Sequence, residues 1–330
     1  MRPSPRPSGR DGMALLTVLL LVAVMSVIAV AVLDDVRFSV RRATNAETQA
    51  QAQWHASAAQ SLARRQIARL IAAGPARTPL EPQWNGRRLA FPIDGGSISA
   101  VVTDGQACFN LNSVVEGVGE DLTARPLGAI QFLALGRAVG APESRMRAVA
   151  DALTDWLDAD AMPRPMGAED GAYAGLTTPY RTGGVLLAEV SELRAIKGVD
   201  ADFYRRLRPW VCALPTSRLS PLNVNTLTPD QGPLLVMLSD GGLGADDARN
   251  LLARRPREGW SDRAAFWAQP ALAAVDIPAE ARDQVTVLTR YFNLRIDVDY
   301  GGGQAVRTAL LYAPPDGPVR TVIQRWTPDE

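Results

Sequence analysis

GMALLTVLLLVAVMSVIAVAVL, residues 12–33, decides how the rest of the chain is read. Met13 to Leu33 is 21 residues without one charge, about the length a helix needs to cross a hydrocarbon layer of roughly 30 Å. Ahead of it stands MRPSPRPSGRDG, residues 1–12, with Arg2, Arg6 and Arg10. The positive-inside bias therefore keeps the N-terminus in the cytoplasm and sends the bulk of the chain outside. One span results.

Three readings of this span compete. A secretory signal has an apolar core of about 7–15 residues and an A-x-A-like site; the core here is longer, although Ala29-Val30-Ala31 satisfies the site pattern. A plain uncleaved anchor needs nothing beyond hydropathy. The third reading rests on the junction, where a polar basic leader ends in Gly12 and an unbroken apolar helix starts at Met13. That junction resembles the class III signal of type IV pilins and pseudopilins, which implies cutting by a prepilin peptidase between Gly12 and Met13 and N-methylation of Met13. The fifth mature residue is then Thr17, where most pilin-like subunits carry Glu. A carboxylate buried in a bilayer is costly without a cationic partner, in that family the N-terminal amine of a neighbour. Without it the subunit loses one link to a preceding subunit and suits the end of a filament.

Outward from the span, residues 34–330 have room for two or three domains at about 100–200 residues each. Lys+Arg and Asp+Glu both total 35, so formal net charge is zero and no polyanion partner is implied. At 47% hydrophobic residues the chain builds real cores. His55 is the single histidine, which removes Ser-His-Asp, Cys-His and His-containing zinc chemistry. No enzyme is indicated. His55 itself is read as a solvated residue of the stalk.

Residues 34–74 continue as that stalk helix. Trp54, Ala58 and Leu62 recur at helical spacing, and Ala63, Ile67, Leu70 and Ile71 extend one apolar stripe, with Arg64, Arg65 and Arg69 opposite. Gly74-Pro75 stops it. Residues 75–120 are read as the first part of a sheet, with Leu89–Ile93 and Ser97–Thr103 joined at Asp94-Gly95-Gly96. Residues 121–208 form a helical module with helices at 127–139, 143–157, 190–197 and 200–207. Residues 209–227 are an extended return, 228–284 a second helical module with helices at 246–254 and 262–269, and 285–330 the closing strands. The fold class is α+β: a transmembrane and stalk helix, a pilin-like antiparallel sheet domain, and a large helical insertion.

FNLNS (109–113) and LNVNT (222–226) share an N-x-N-[S/T] core, each followed by helices and a tryptophan, Trp156 or Trp260. This spacing reads as an internal duplication. The joints LRAIKGV (193–199) and GGLGA (241–245) each link two short helices through glycine, as helix-hairpin-helix or SAM-like modules do. Asp246-Asp247 after the second joint and the neutral chain argue against DNA phosphate as the ligand. A membrane-anchored periplasmic binding module built on such units is the alternative reading.

DWLDAD (155–160), GAED (167–170), VSELRAIKG (190–198), VCALP (211–215) and LNVNT, together with the leader and span, resemble the K-type minor pseudopilin of the type II secretion system. The missing Glu at mature position five is similar too. The resemblance implies a non-enzymatic subunit of the bacterial inner membrane, its bulk periplasmic, bound to I-type and J-type minor pseudopilins at the tip of the major pseudopilin filament. There it seeds assembly and meets the secretin or an exoprotein substrate.

Asp155, Asp158, Asp160, Glu169 and Asp170 crowd five carboxylates into a stretch broken by Pro163, Pro165 and Gly167. They are either a solvated acidic loop or hard oxygen ligands suited to calcium; the family resemblance implies calcium. Counting from Asp158, Asp160 and Glu169 take EF-hand positions 3 and 12, but Met162 and Pro163 break that motif. Such a site would have a Kd on the order of 10⁻⁴–10⁻³ M. Cys108 and Cys212, the only cysteines, flank the first module on the oxidising side. They are either two buried thiols or a disulfide closing its base, worth about 4.7 kcal/mol for a 100-residue loop in the chain-entropy treatment.

Overall fold

The computed structural model describes residues 9–327, with side chains from residue 13. Residues 1–8 of the leader, with Arg2 and Arg6, lie outside the described residues. Helix α1 runs unbroken over Gly9–Ala73, about 97 Å at 1.5 Å per residue. Every side chain from Met13 to Glu47 is exposed. The uncharged part of that surface, Met13–Leu33, needs a bilayer or another protein around it. Ala73 is the last helical residue, immediately before Gly74-Pro75.

The stripe that α1 buries differs from the one its largest side chains suggest. Trp54 is 76% and Leu62 48% exposed, whereas Ala52, Ala56, Gln60 and Ile67 are buried. Alanine wins because the helix lies close on a sheet and small side chains permit the approach. At Gly303, in the turn under the helix, an added Cβ would meet Thr48 at 2.8 Å. Arg64 is likewise turned inward, its guanidinium donating twice to the Val319 carbonyl at 3.0 and 2.7 Å. His55 is half-buried against Tyr300, ring centroids 5.1 Å apart, and is not the freely solvated residue expected.

Five antiparallel strands form the sheet: β1 Arg88–Ile93, β2 Gly96–Asp104, β3 Tyr291–Tyr300, β4 Gly303–Tyr312 and β5 Arg320–Arg325, in that spatial order. The alternation read from Leu294, Ile296 and Val298 holds, all three being buried with Phe292. These residues and the α1 stripe make one core. The sheet is a simple meander whose β2–β3 connection has grown: Asp104 pairs directly with Phe292. Everything between them is insertion. Residues 105–118, grouped above with the sheet, leave it at Asp104 and run into the helical block.

That block has its own core, shared by both modules. Helices α2 (Pro126–Ala138), α3 (Glu143–Leu157), α4 (Asp170–Ala174) and α5 (Ala201–Leu207) belong to the first. Helices α6 (Pro233–Val236), α7 (Ala245–Ala253), α8 (Arg263–Trp267) and α9 (Ala279–Asp283) belong to the second. The predicted helix at 190–197 is a 3-10 turn, Val190–Ala195. Gly198 and Gly241 turn the two joints at φ +89° and +86°.

The two Asn motifs open the modules in the same manner. Phe109–Asn110 pairs in parallel with Val211–Cys212, and Leu222–Asn223 with Val285–Thr286. Asn110 and Asn223 each accept from the backbone N–H two residues on, at 3.3 and 3.0 Å. Ser113 donates back to that first Asn's carbonyl at 2.6 Å, and Thr226 Oγ1 lies 2.8 Å from the corresponding carbonyl of Asn223, its one proton shared with the Asp104 carboxylate. The second Asn is a two-pronged clamp: Asn112 binds both the N–H and C=O of Leu187, and Asn225 both those of Trp260. Trp260 therefore corresponds to Leu187; Trp156, which the sequence pairs with it, lies elsewhere on α3.

Candidate cation site and the base of the insertion

Helix α3 buries Met146, Val149, Ala150, Leu153 and Leu157 along one stripe and carries Asp151 and Asp155 beside it, with Asp158 as its C-cap. The chain then doubles back, since Pro163 and Pro165 cannot continue a helix. Asp155, 1% exposed, fastens this return: its carboxylate accepts from the backbone N–H groups of Arg164 at 3.2 Å and Ala168 at 2.7 Å. Gly167 is forced by the same contact, because a Cβ there would sit 1.9 Å from Asp155 Oδ2. Asp151, which the sequence reading passed over, accepts from Arg164 Nε at 3.2 Å and the Met166 N–H at 3.1 Å. Its signal was available: 151, 155 and 158 are i, i+4 and i+7 on one helix.

The return brings Asp158, Asp160 and Glu169 together, with one carboxylate oxygen of each within 4.8 Å of the others. Asp155 and Asp170 do not join them. Asp170 is spoken for by Thr182, whose N–H and Oγ1 both donate at 2.9 Å, and these bonds hold its carboxyl below the ordinary carboxylate range. Asp160 accepts from the Met162 N–H at 2.8 Å and stays exposed. Asp158 Oδ1 and Glu169 Oε1 are buried without a hydrogen-bond partner among the described residues. Burial, then the neighbouring carboxylates Asp160 and Asp155, push Asp158 up to about 6. Burial, then the charges of Asp155, Asp158, Asp160 and Asp170, push Glu169 up to about 7.

A pair of charges this close repels by roughly 3 kcal/mol at an effective dielectric of 20. Two orphaned oxygens add the desolvation cost of unpaired acceptors, about 1–3 kcal/mol each. Either protons or a cation relieve both costs, and the donor set, carboxylate oxygens alone, is that of a hard cation. Behind the loop, Trp156, Tyr173 and Tyr180 pack ring on ring at 5.2–6.0 Å. The rings hold the loop against α3.

At the base, Cys108 and Cys212 are bridged, closing a separation of 104 residues. Asp104, the last residue of β2, is 7% exposed and ties sheet to insertion. Its carboxylate accepts from Thr226 at 2.5 Å, Thr289 at 2.8 Å and the Gln106 N–H at 2.8 Å. Burial pushes it up to about 6 against the pull of those bonds. An ion pair of Arg325 with Glu189 adds a second tie, from β5 to the first module.

A helix long and apolar enough to cross a membrane, running on as the stalk of an antiparallel sheet domain with paired helical modules grown from one strand connection, is the architecture of a subunit of the pseudopilin kind. Residues 107–216 and 222–287, the two modules from their Asn motifs onward, each match a family model described as type II secretion system (T2SS), protein K. The chain belongs to the type II secretion system protein K family, a structural component of that machine. It is 38% identical over 325 residues to the Klebsiella pneumoniae type II secretion system protein K, covering 97% of this chain and 98% of the relative. Against the Aeromonas hydrophila protein K it is 37% identical over 310 residues, 92% of each chain. Among solved structures, a chain in the GspK-GspI-GspJ complex from enterotoxigenic Escherichia coli superposes with a TM-score of 0.76 at 31% identity. It covers 87% of this chain and 99% of that one.

Proposed function

We propose that the chain caps the tip of a type II secretion pseudopilus, bound to I-type and J-type minor pseudopilins, and that it seeds filament assembly for export of folded proteins. The observation that carries this reading is the position of the insertion: a two-module block issues from the β2–β3 connection, paired at Asp104 and Phe292, on a domain whose stalk would otherwise stack in a filament. Thr17 supports it as well. Its hydroxyl donates within the helix, to the Ala14 carbonyl at 2.9 Å, and so asks nothing of a preceding subunit. The relative solved in complex with GspI and GspJ supports the choice of partners. The glycine joints at Gly198 and Gly241 support helix-hairpin-helix units turned to protein contact, since Asp246 and Asp247 open α7 where a phosphate would need positive charge. Contact with the secretin or an exoprotein follows from a tip position.

In this reading a prepilin peptidase removes residues 1–12 and Met13 becomes the methylated N-terminus, with α1 held in the inner membrane and the domains in the periplasm. Calcium sits between Asp158, Asp160 and Glu169, with Asp151, Asp155 and Asp170 shaping the loop around it. It neutralises the crowded charge and pins the return of the chain. Sequencing the N-terminus of protein from its native envelope tests the anchor: methylated Met13 is expected, whereas Met1 or Val32 would refute it. Co-purification of the full chain with its two minor partners tests the assembly.

A further inference from the structure

The return after α3 contains the stretch Met162-Pro-Arg-Pro-Met166, with proline at 163 and 165. Proline has no N–H, so the stretch offers only those of Met162, Arg164 and Met166. Each goes to a different aspartate: Met162 to Asp160 at 2.8 Å, Arg164 to Asp155 at 3.2 Å and Met166 to Asp151 at 3.1 Å. The Arg164 side chain adds a further tie, its Nε donating to Asp151 at 3.2 Å. The backbone is fastened, yet both thioethers stand in solvent, Met162 75% and Met166 46% exposed. Met146 and Met237, the other methionines beyond the span, are 0% exposed. We propose that Met162 and Met166 form a methionine-oxidation site, at which a peroxide converts thioether to sulfoxide and loosens the return by drawing Arg164 away from Asp151.

In that step a sulfur lone pair attacks one peroxide oxygen as the O–O bond breaks. The departing hydroxide takes the proton from the new S–OH group, leaving sulfoxide and water, so sulfur loses two electrons and the peroxide gains them. Peroxide must reach the sulfur directly, which the exposed pair allows and the buried pair prevents. A thioether is a weak acceptor, whereas the sulfoxide is polar and carries a full acceptor oxygen. Each new oxygen arises two positions along the chain from Arg164, beside the guanidinium that holds Asp151. The Arg164–Asp151 pair is itself partly exposed, 34% and 23%, and a pair so placed is held weakly enough for a neighbouring acceptor to displace it. Release of Asp151 leaves the return on its backbone bonds, so residues 158–186 open more often. No cation is needed for this, and the change is reversible, because reductases return methionine sulfoxide to methionine.

The test treats the full chain, in detergent and without calcium, briefly with hydrogen peroxide and reads it by peptide mass mapping and amide hydrogen exchange. Met162 sulfoxide is expected to form about tenfold faster than the sulfoxides of Met146 and Met237, with Met166 between. Exchange over residues 158–186 should then rise about threefold or more while residues 222–287 keep their rates, and methionine sulfoxide reductases should restore the original protection. Arg164→Gln without peroxide should match the oxidised chain, and peroxide should add nothing to it. Met162→Leu combined with Met166→Leu, both at exposed positions, should keep its protection through the same treatment. Equal oxidation of all four methionines, or sulfoxide at Met162 with unchanged exchange, overturns the proposal. Loosening of the double leucine variant by peroxide overturns it as well. Further loosening of Arg164→Gln by peroxide overturns the route through Asp151.

Discussion

The two inserted modules are fastened alike at the base and held differently in the body. Each opens with a short parallel strand pair and an asparagine that grips both backbone groups of one distant residue, Leu187 or Trp260. Beyond that point the first contains a long irregular return, residues 158–186, with little regular structure to hold it, and carries the disulfide, the aspartates on α3 and the carboxylate cluster. The second has short helices throughout, no cysteine, and an apolar interior that includes Leu234, Leu235, Leu251, Leu252, Trp260 and Phe266. Two units with one kind of hinge can thus differ in their filling: where regular packing is lost, covalent and ionic ties replace it.

The comparison breaks first at the clamps. Asn112→Ala leaves the Leu187 N–H and C=O and the Leu214 C=O without their partner, and Asn225→Ala strands both backbone groups of Trp260. At about 1–3 kcal/mol for each buried unsatisfied group, denaturant unfolding should show losses of about 4 and about 3 kcal/mol. Equal and negligible losses would mean that the shared hinge is a resemblance without energetic content. Replacing Cys108 and Cys212 together by Ser comes next, at about 3 kcal/mol, less than the chain-entropy figure of about 4.7 because the reduced, unfolded chain retains structure. Hydrogen exchange should find the added opening confined to residues 107–216, with the second module's amides unchanged.

Much of this was legible in the residues. α3 spans Glu143–Leu157 as its stripe and the following prolines dictate, and the two N-x-N motifs mark openings with the same hydrogen bonds. What was misread shares one cause, that burial is decided by a partner the sequence does not display. Trp54 and Leu62 offer far more apolar area than Ala52 and Ala56, yet a sheet at close range selects alanine. Five carboxylates look equivalent until the chain reversal assigns the N–H groups of Arg164 and Ala168 to Asp155 and Thr182 to Asp170. Only then do Asp158, Asp160 and Glu169 remain for a cation. Asp104 carried no motif, because its role depends on Thr226 and Thr289, more than a hundred residues away in the chain.

The carboxylate cluster offers a finer separation of the modules. Calcium at a hundred times its Kd should stabilise the chain by about 2.7 kcal/mol, protecting the first module alone. Glu169→Gln and Asp160→Asn should each remove that gain. Asp170→Asn should keep more than half of it, since Asp170 is engaged with Thr182. A gain abolished equally by all three would restore the five-ligand set.

The smallest effect is the most telling about sign. With no ion bound, Asp158 and Glu169 titrate near 6 and 7, above their ordinary 3.8 and 4.5. The folded chain then binds protons more tightly than the unfolded chain between about pH 4 and 7, so stability falls as pH rises through that window. Acidifying the calcium-free protein from pH 7.5 to 5.5 should therefore stabilise it, by about 1 kcal/mol once solvent screening near half-exposed Glu169 is allowed for. In calcium the slope reverses, because protons compete with the ion. Asp104, raised to about 6 by burial at the base, contributes the same slope with or without calcium. The difference between the two pH profiles therefore isolates the first module, and Glu169→Gln should flatten that difference. If the two profiles run parallel, the cluster is a solvated acidic loop and the divergence between the modules rests on the disulfide and the aspartates of α3.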